Sequence, residues 1–343
     1  MPSLEGGKSL IRLQKKPGKD FVILNLTDFQ LDVAESQPDH IAFRLLKTTF
    51  DELVERVKPD LITVSGDISW GGENLPSYKA FADLLAPTGI PWAPVWGNHD
   101  DESPAVVENI VTLYEGYPTF LYERGDLSLG SGNYVITIME GEKPVEALIM
   151  MNSHSGNDRV LLDEFCVPHK YPSYASLTPA QLDWYREQVK LLREMGCTES
   201  TLILHIPPYC FREALYDAME EEYRIPGKVT LSESYRGVGW REEYKAGSFG
   251  VFRECVASPN YDDGVLPVLL ECGHTKNLLA GHNHTNNWSI PYKGIRMTFA
   301  IKIGKGCYWD PEINGGTVIT LDETGVKELR HEYVDLSQWI MEN

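Results

Sequence analysis

Five short apolar runs in this chain each end abruptly in a polar cluster rich in aspartate, asparagine or histidine. That repeated junction constrains the fold more than any other feature of the sequence. The runs are Phe21 to Leu26, Leu61 to Val64, Trp92 to Trp96, Thr201 to Leu204 and Asn277 to Ala280. They lead into Asp28-Phe29-Gln30, Gly66-Asp67, Gly97-Asn98-His99-Asp100, His205 and Gly281-His282-Asn283-His284. Brief apolar runs closed by turn residues are the pattern of strands buried on both faces. Between the first two, Ile41, Leu45, Leu46, Phe50, Leu53, Val54 and Val57 recur at three- and four-residue spacing until Pro59, which predicts a helix; Tyr78 to Leu85 reads the same way. Strand, helix, strand, helix, strand is the order of a layered α/β domain. In such a sheet the loops at the carboxyl ends of neighbouring strands converge, so residues far apart in sequence share one site.

Beyond residue 133 the pattern changes. Tyr134 to Met139 and Val145 to Met151 flank Glu140-Gly141-Glu142-Lys143-Pro144 and predict a hairpin. Thr178-Pro179 opens a periodic stretch that runs to Met195 and closes at Gly196, the form of an N-capped helix with proline in its first turn. Gly294 to Ala300, Thr317 to Leu321 and Val326 to Tyr333 read as strands. Residues 206–276 are the least regular long region and are rich in aromatic side chains and arginine. They are either a cap over the site or a helical insertion that packs its aromatics. With no internal repeat or low-complexity linker, the expectation is one catalytic domain over residues 1–343, with 206–276 as the candidate cap or insertion.

Charge narrows the partners. The 343 residues include 31 Lys and Arg against 50 Asp and Glu, a formal charge of −19. Such a surface repels phosphate backbones and anionic lipid unless a local cation reverses the field, so neither nucleic acid nor a membrane is an expected partner. The six cysteines, at 166, 197, 210, 255, 272 and 307, form no C-x-x-C and read as buried thiols of a reducing compartment, with disulfides the alternative that their even count allows. The N-terminal segment carries basic residues without the apolar stretch of a secretory signal, and no long apolar run occurs elsewhere. A cytoplasmic protein is therefore expected.

Among the candidate ligands in these clusters are two carboxylates (Asp28, Asp67), one carboxamide (Asn98) and three imidazoles (His205, His282, His284), with His99 as a fourth beside Asn98. This mixed oxygen and nitrogen set suits two divalent cations. Each cluster alone has a bland explanation: an aspartate after a strand is usually a turn or cap residue, and His205 before Ile206-Pro207-Pro208 could be a core histidine. Their joint occurrence in this order, each after a predicted strand, favours the metal-binding explanation.

The order D-x-(H/G), G-D, G-N-H-(D/E), an isolated His and G-H-x-H resembles that of the calcineurin-like metallophosphoesterases, a superfamily that includes the purple acid phosphatases. Gly281 to Asn287 and Gly304-Lys305-Gly306-Cys307-Tyr308 look most like the branch containing a yeast cell-cycle regulator phosphatase and its plant purple-acid-phosphatase-like cousins. The resemblance implies a four-layer α-β-β-α sandwich, two mixed sheets flanked by helices, with two divalent ions (manganese, iron, zinc or similar) at one edge. By motif, Asp67 would bridge both ions, Asp28 and His284 would complete one position, and Asn98, His205 and His282 the other. His99 would be catalytic, stabilising or protonating the leaving oxygen, with Asp100 orienting its imidazole. Asn98 and His99 would also contact substrate.

Two departures stand out. Gln30 occupies a position where the family has histidine or, in purple acid phosphatases, glycine; its carbonyl oxygen is an uncertain ligand and a weak donor to transition metals. Trp70 stands where purple acid phosphatases place a metal-binding tyrosine, and indole offers no lone pair, so no purple colour is expected. His154, Arg212 and Tyr308 are weaker candidates for substrate contact; an exposed charge is the plainer expectation for Arg212, and aromatic packing for Tyr308. The implied activity is hydrolysis of a phosphomonoester, on a small phosphate ester or a phosphoprotein. Phosphodiester or pyrophosphate hydrolysis on nucleotide-type substrates, and a non-catalytic binding module on a degenerate fold, are the alternatives.

Overall fold

A computed structural model describes residues 10–70, 74–101, 104–156, 174–221 and 239–340. In chain order the elements are β1 (Leu10–Gln14), β2 (Phe21–Leu26), α1 (Ile41–Val57), β3 (Leu61–Ser65), α2 (Leu75–Leu85), β4 (Trp92–Val95) and α3 (Pro104–Tyr114). The hairpin β5 (Tyr134–Glu140) and β6 (Lys143–Met150) follows, then α4 (Pro179–Glu194), β7 (Ser200–Leu204), α5 (Cys210–Ala218) and α6 (Glu242–Lys245). The chain continues with α7 (Val265–Cys272), β8 (Thr275–Ala280), β9 (Ser289–Tyr292), β10 (Ile295–Phe299), β11 (Gly315–Asp322), β12 (Gly325–Tyr333) and α8 (Ser337–Ile340).

The strands form two mixed sheets, one in the order β1-β5-β6-β7-β8-β10-β9 and the other β12-β11-β2-β3-β4. Side-chain alternation along the strands explains why they stack. Ile23, Leu61 and Val95 of the smaller sheet meet Ile136, Leu148, Met150, Ile203 and Leu279 of the larger in a core between the sheets. Their neighbours Leu24, Leu26, Ile62 and Val64 point the other way, onto Leu45, Phe50 and Leu53 of α1 and Phe81 of α2. Val135, Ile149, Leu202, Leu204 and Leu278 do the same for the larger sheet, against Tyr185 of α4, Phe211 of α5 and Leu269 of α7. Strands buried on both faces need no polar alternation, which is why they read as continuous apolar runs. The result is the expected four-layer α-β-β-α sandwich.

The helix signals hold. Thr178 and Gln181 form a reciprocal capping box at the start of α4, with Pro179 in the first turn, and α1 closes at Lys58 in a left-handed conformation immediately before Pro59. Sequence periodicity missed β1, a half-exposed edge strand, and it missed α3, α5 and α7, which are too short to show a clear helical repeat. Within 206–276, the described residues of α5 and α7 pack on the outer face of the larger sheet with Phe252 and Val256; residues 222–238 lie outside the described residues. Of the described cysteines, Cys197, Cys210, Cys272 and Cys307 are free thiols. Cys307 is exposed rather than buried, because it lies on a loop at the sandwich edge; Cys166 lies outside the described residues. No described helix is long and apolar enough to cross a membrane.

One buried charge sits in the intersheet core. Glu146, near the start of β6, accepts a hydrogen bond from Thr201 Oγ1 at 3.0 Å through one oxygen, while its other oxygen has no partner. Burial pushes its carboxyl up to about 8 from an unfolded value of 4.5. The folded chain therefore holds this proton more tightly than the unfolded one. Its stabilising effect is complete below pH 4.5 and is lost as the pH rises towards 8. Glu146→Gln removes that dependence. In thermal melts at pH 5 and pH 8, the variant gains on the parent chain at the higher pH, by an amount of order a few kcal/mol. A gap between the two proteins that does not change with pH contradicts the buried acid.

Candidate metal centre

β2, β3 and β4 run parallel in one sheet, and β7 and β8 run parallel in the other, so their carboxyl ends meet at one edge of the sandwich. The loops there turn sharply. Asp28, Gln30, Asp67, His154 and His282 all adopt positive φ, between 45° and 74°. Non-glycine residues in this region cost energy and tend to collect where function requires a particular side-chain direction. The neighbouring glycines allow the loops to touch. A Cβ on Gly97 would sit 2.1 Å from Asp67 Oδ1, one on Gly66 would meet the Gly97 backbone at 2.5 Å, and one on Gly281 would lie 2.1 Å from Thr27 Oγ1.

His205 shows what the cluster lacks. Its Nδ1 lies 2.7 Å from the Ser65 carbonyl oxygen, which can only accept, so Nδ1 carries a proton. Its Nε2 then faces Asn98 Oδ1 at 3.1 Å, His282 Nδ1 at 3.2 Å and Asp67 Oδ1 at 3.3 Å. One proton on Nε2 can serve only one of these lone pairs, whereas a cation among them serves all four. Asp67, His205 and His282 present donor atoms within 4.8 Å of one another, all buried. A second convergence lies beside the first. His284 Nδ1 donates to the Tyr308 carbonyl oxygen at 2.8 Å, leaving its Nε2 to face Asp28 Oδ1 at 3.4 Å. Asp28 Oδ1 and His282 Nε2 are buried without any hydrogen-bond partner. Buried polar atoms left without partners are costly, and the oxygen and imidazole donors gathered here suit divalent metal ions. The residues fit the cations expected from the sequence.

Without such ions, protons carry the balance. Burial favours the neutral imidazole of His205, but the charge and hydrogen bond of Asp67 and the charge of Asp28 outweigh it and hold the ring up at about 9. Burial, reinforced by the neighbouring His205, pushes His282 down to about 3. Burial opposes ionisation of Asp67, yet His205 brings it down to about 2.

The remaining sequence candidates fall into place around this core. The His99 backbone N–H donates to Asp67 Oδ1 at 3.0 Å, and its ring lies against Trp70 with centroids 4.3 Å apart. Asp100 does not orient that ring as expected. Its carboxylate accepts from the backbone N–H groups of Gly97, Ile68 and Ser69 and from the Tyr78 hydroxyl at 2.8 Å. It thereby ties the loops after β3 and β4 together. Burial and the charge of Asp67 push Asp100 up to about 7. Gln30, the uncertain ligand, donates from Nε2 to Asp67 Oδ2 at 3.1 Å, and its Oε1 lies 3.5 Å from Lys302 Nζ. His154 meets Gln181 Oε1 through Nε2 at 2.9 Å, while the adjacent Ser155 hydroxyl donates to the Asn98 carbonyl. Arg212 is buried, not exposed, with Nε bound to the Ser258 hydroxyl at 2.6 Å. Tyr308 stacks on the His284 ring at 4.1 Å and donates its hydroxyl to Glu254.

Two neighbours escaped sequence reading. Tyr174 packs edge-on against His282 at 4.4 Å. Lys302 is 1% exposed and donates from Nζ to the Asp28 carbonyl oxygen. Burial pulls its ammonium down to about 8, while the charges of Asp28 and Asp67 hold it up. A lysine inside the apolar run Ala300-Ile301-Lys302-Ile303 was the available signal.

The calcineurin-like phosphoesterase family model matches residues 21–237, more than half of the chain. The chain belongs to this family of metal-dependent phosphoester hydrolases. Phosphatase DCR2 of Saccharomyces cerevisiae is 25% identical over 300 residues, covering 81% of this chain and 46% of the yeast protein. A probable inactive purple acid phosphatase 14 of Arabidopsis thaliana is 27% identical over 266 residues, covering 71% and 58%. The chain thus spans about half the length of these curated relatives. Among solved structures, a dimetal phosphatase from Danio rerio overlays with a TM-score of 0.49 at 12% identity, covering 89% of this chain and 97% of that one.

The close approach at Gly97 is testable. In Gly97→Ala the new methyl group must displace the Asp67 carboxylate, so bound manganese, counted by mass spectrometry after dialysis, falls at least tenfold. Circular dichroism continues to report a folded chain. Full metal retention contradicts the crowding.

Proposed function

We propose that this chain is a metal-dependent phosphomonoesterase whose site takes two divalent ions, acting on a small phosphate ester or a phosphoprotein. The observation that carries this reading is the buried surplus of lone pairs around His205 Nε2, which a cation satisfies and a single proton cannot. When bound, such ions lower the pKa of a water nucleophile and neutralise charge on the phosphoryl oxygens. The chain's own residues supply placement and a proton. Asp67, held by the His99 N–H and by Gln30, keeps its carboxylate between the two donor groups. Asn98 is fixed by the contact of its carbonyl oxygen with Ser155, and its side-chain oxygen is turned to the centre. His99 is not among the converging donors, and its ring lies beside the centre against Trp70, tilted at 42°. Its imidazole is assigned the proton transfer to the leaving oxygen, a contribution of about 10²–10⁴-fold in rate. Trp70 offers no lone pair where a purple enzyme has tyrosinate, so the loaded protein shows no purple colour.

Hydrolysis of p-nitrophenyl phosphate compared with bis-p-nitrophenyl phosphate tests this reading on metal-stripped protein reloaded with manganese, iron or zinc. The monoester is expected to turn over faster. Asp67→Ala and Asn98→Ala lose turnover together with metal, whereas His99→Ala loses about 10²–10⁴-fold in kcat with its metal content intact. Faster diester turnover moves the assignment to a phosphodiesterase. Absence of turnover on both esters, with metal bound, favours a binding module. Equal metal loss in the His99 variant removes the proposed division of roles.

A further inference from the structure

Lys302 brings a buried ammonium to the edge of the metal centre, and its position is set by the backbone. The segment after β10 crosses from the larger sheet to the smaller one: the Ala300 N–H bonds the Ala280 carbonyl, and the Ile303 N–H bonds the Thr27 carbonyl. Residue 302 bridges Thr27 in parallel fashion at the end of β2. The side chain is 1% exposed, and its ammonium meets the Asp28 carbonyl oxygen and Gln30 Oε1. A buried ammonium needs acceptors and counter-charge; Asp28 and Asp67 supply the charge.

This contact also decides which way the Gln30 amide points. An ammonium can only donate, so the amide oxygen faces Lys302 and the amide nitrogen faces Asp67 Oδ2. In this arrangement the Gln30 oxygen is turned to a cation and its N–H donates to the shared carboxylate, so the amide offers the centre no lone pair. The two donor groups are left unequal. Asp67, Asn98, His205 and His282 offer four donors to one ion. The other has Asp28, His284 and a share of Asp67, with Lys302 repelling it nearby.

We propose that Lys302 is a built-in cation of this centre, which together with Gln30 makes the Asp28–His284 position a weak, exchangeable metal site beside a tight one. The protein carries one ion firmly and recruits the second only when metal is abundant. This rests on the metal-centre reading above, but metal counting needs no turnover. A chain that binds ions this way and hydrolyses neither ester sinks the phosphatase reading alone, whereas an active chain with two equal sites sinks this inference alone.

Equilibrium dialysis of the full chain against rising manganese, with bound metal counted by mass spectrometry, is expected to show one tight equivalent and a second with a Kd at least 100-fold weaker. Lys302→Met, which keeps the apolar stem and removes the charge, narrows that gap at least tenfold. Lys302→Arg, which keeps the charge, leaves it in place. At two equivalents and a limiting total concentration, electron paramagnetic resonance of Lys302→Met shows an exchange-coupled manganese pair, while the parent chain shows an isolated ion. Two sites of similar affinity in the parent chain, no tight site at all, or an unchanged gap in Lys302→Met overturns the proposal. If circular dichroism shows that Lys302→Met does not fold, Gln30→His tests the same cradle by replacing the engaged amide with an imidazole donor. It must then narrow the gap at least tenfold, and no change overturns the proposal.

Discussion

The edge of the sandwich depends on one electrostatic imbalance: more buried lone pairs than protons to share among them. His205 is the pivot, because its Nδ1 is committed to the Ser65 carbonyl and its Nε2 is left facing three other acceptors. Such an arrangement persists only when the surrounding structure over-determines it. Here the parallel strands of both sheets hold the loops from beneath, and the Asp100 carboxylate fastens the turns after β3 and β4 to each other. Gly66, Gly97 and Gly281 remove the side chains that would keep those turns apart. The left-handed residues Asp28, Asp67 and His282 then aim their side chains into the space so created.

Packing and chemistry divide cleanly along each strand. Ile203 faces the other sheet while Leu202 and Leu204 face the helices, and the next residue, His205, begins the site. The same holds for Leu278, Leu279 and Ala280 before Gly281. Both faces of these strands are spent on burial, so the carboxyl ends are where polar side chains can gather without disturbing the core.

Much of this was legible beforehand because strands buried on both faces leave continuous apolar runs, and because Asp28, Asp67, Asn98, His205, His282 and His284 each follow such a run. The helices α1 and α4 announced themselves through periodicity and caps. What stayed hidden depends on contacts between distant segments. Asp100 sits next to His99 in sequence, which suggested a partnership, yet its carboxylate turns inward to backbone donors that no local pattern reveals. The direction of the Gln30 amide depends on Lys302, 272 residues away. Arg212 is buried because α5 packs on the larger sheet and places it against Ser258, a contact between segments that composition cannot foresee.

The crossing at residues 300–304 has a mechanical side. This short segment is hydrogen-bonded to β8 at one end and to the end of β2 at its middle, and Gly304 pairs with Asn314 beyond. It acts as a strap across the mouth of the sandwich. For the sheets to part there like a pair of jaws, the strap would have to give up backbone bonds on both sides. The gap between the sheets therefore keeps its width at this edge.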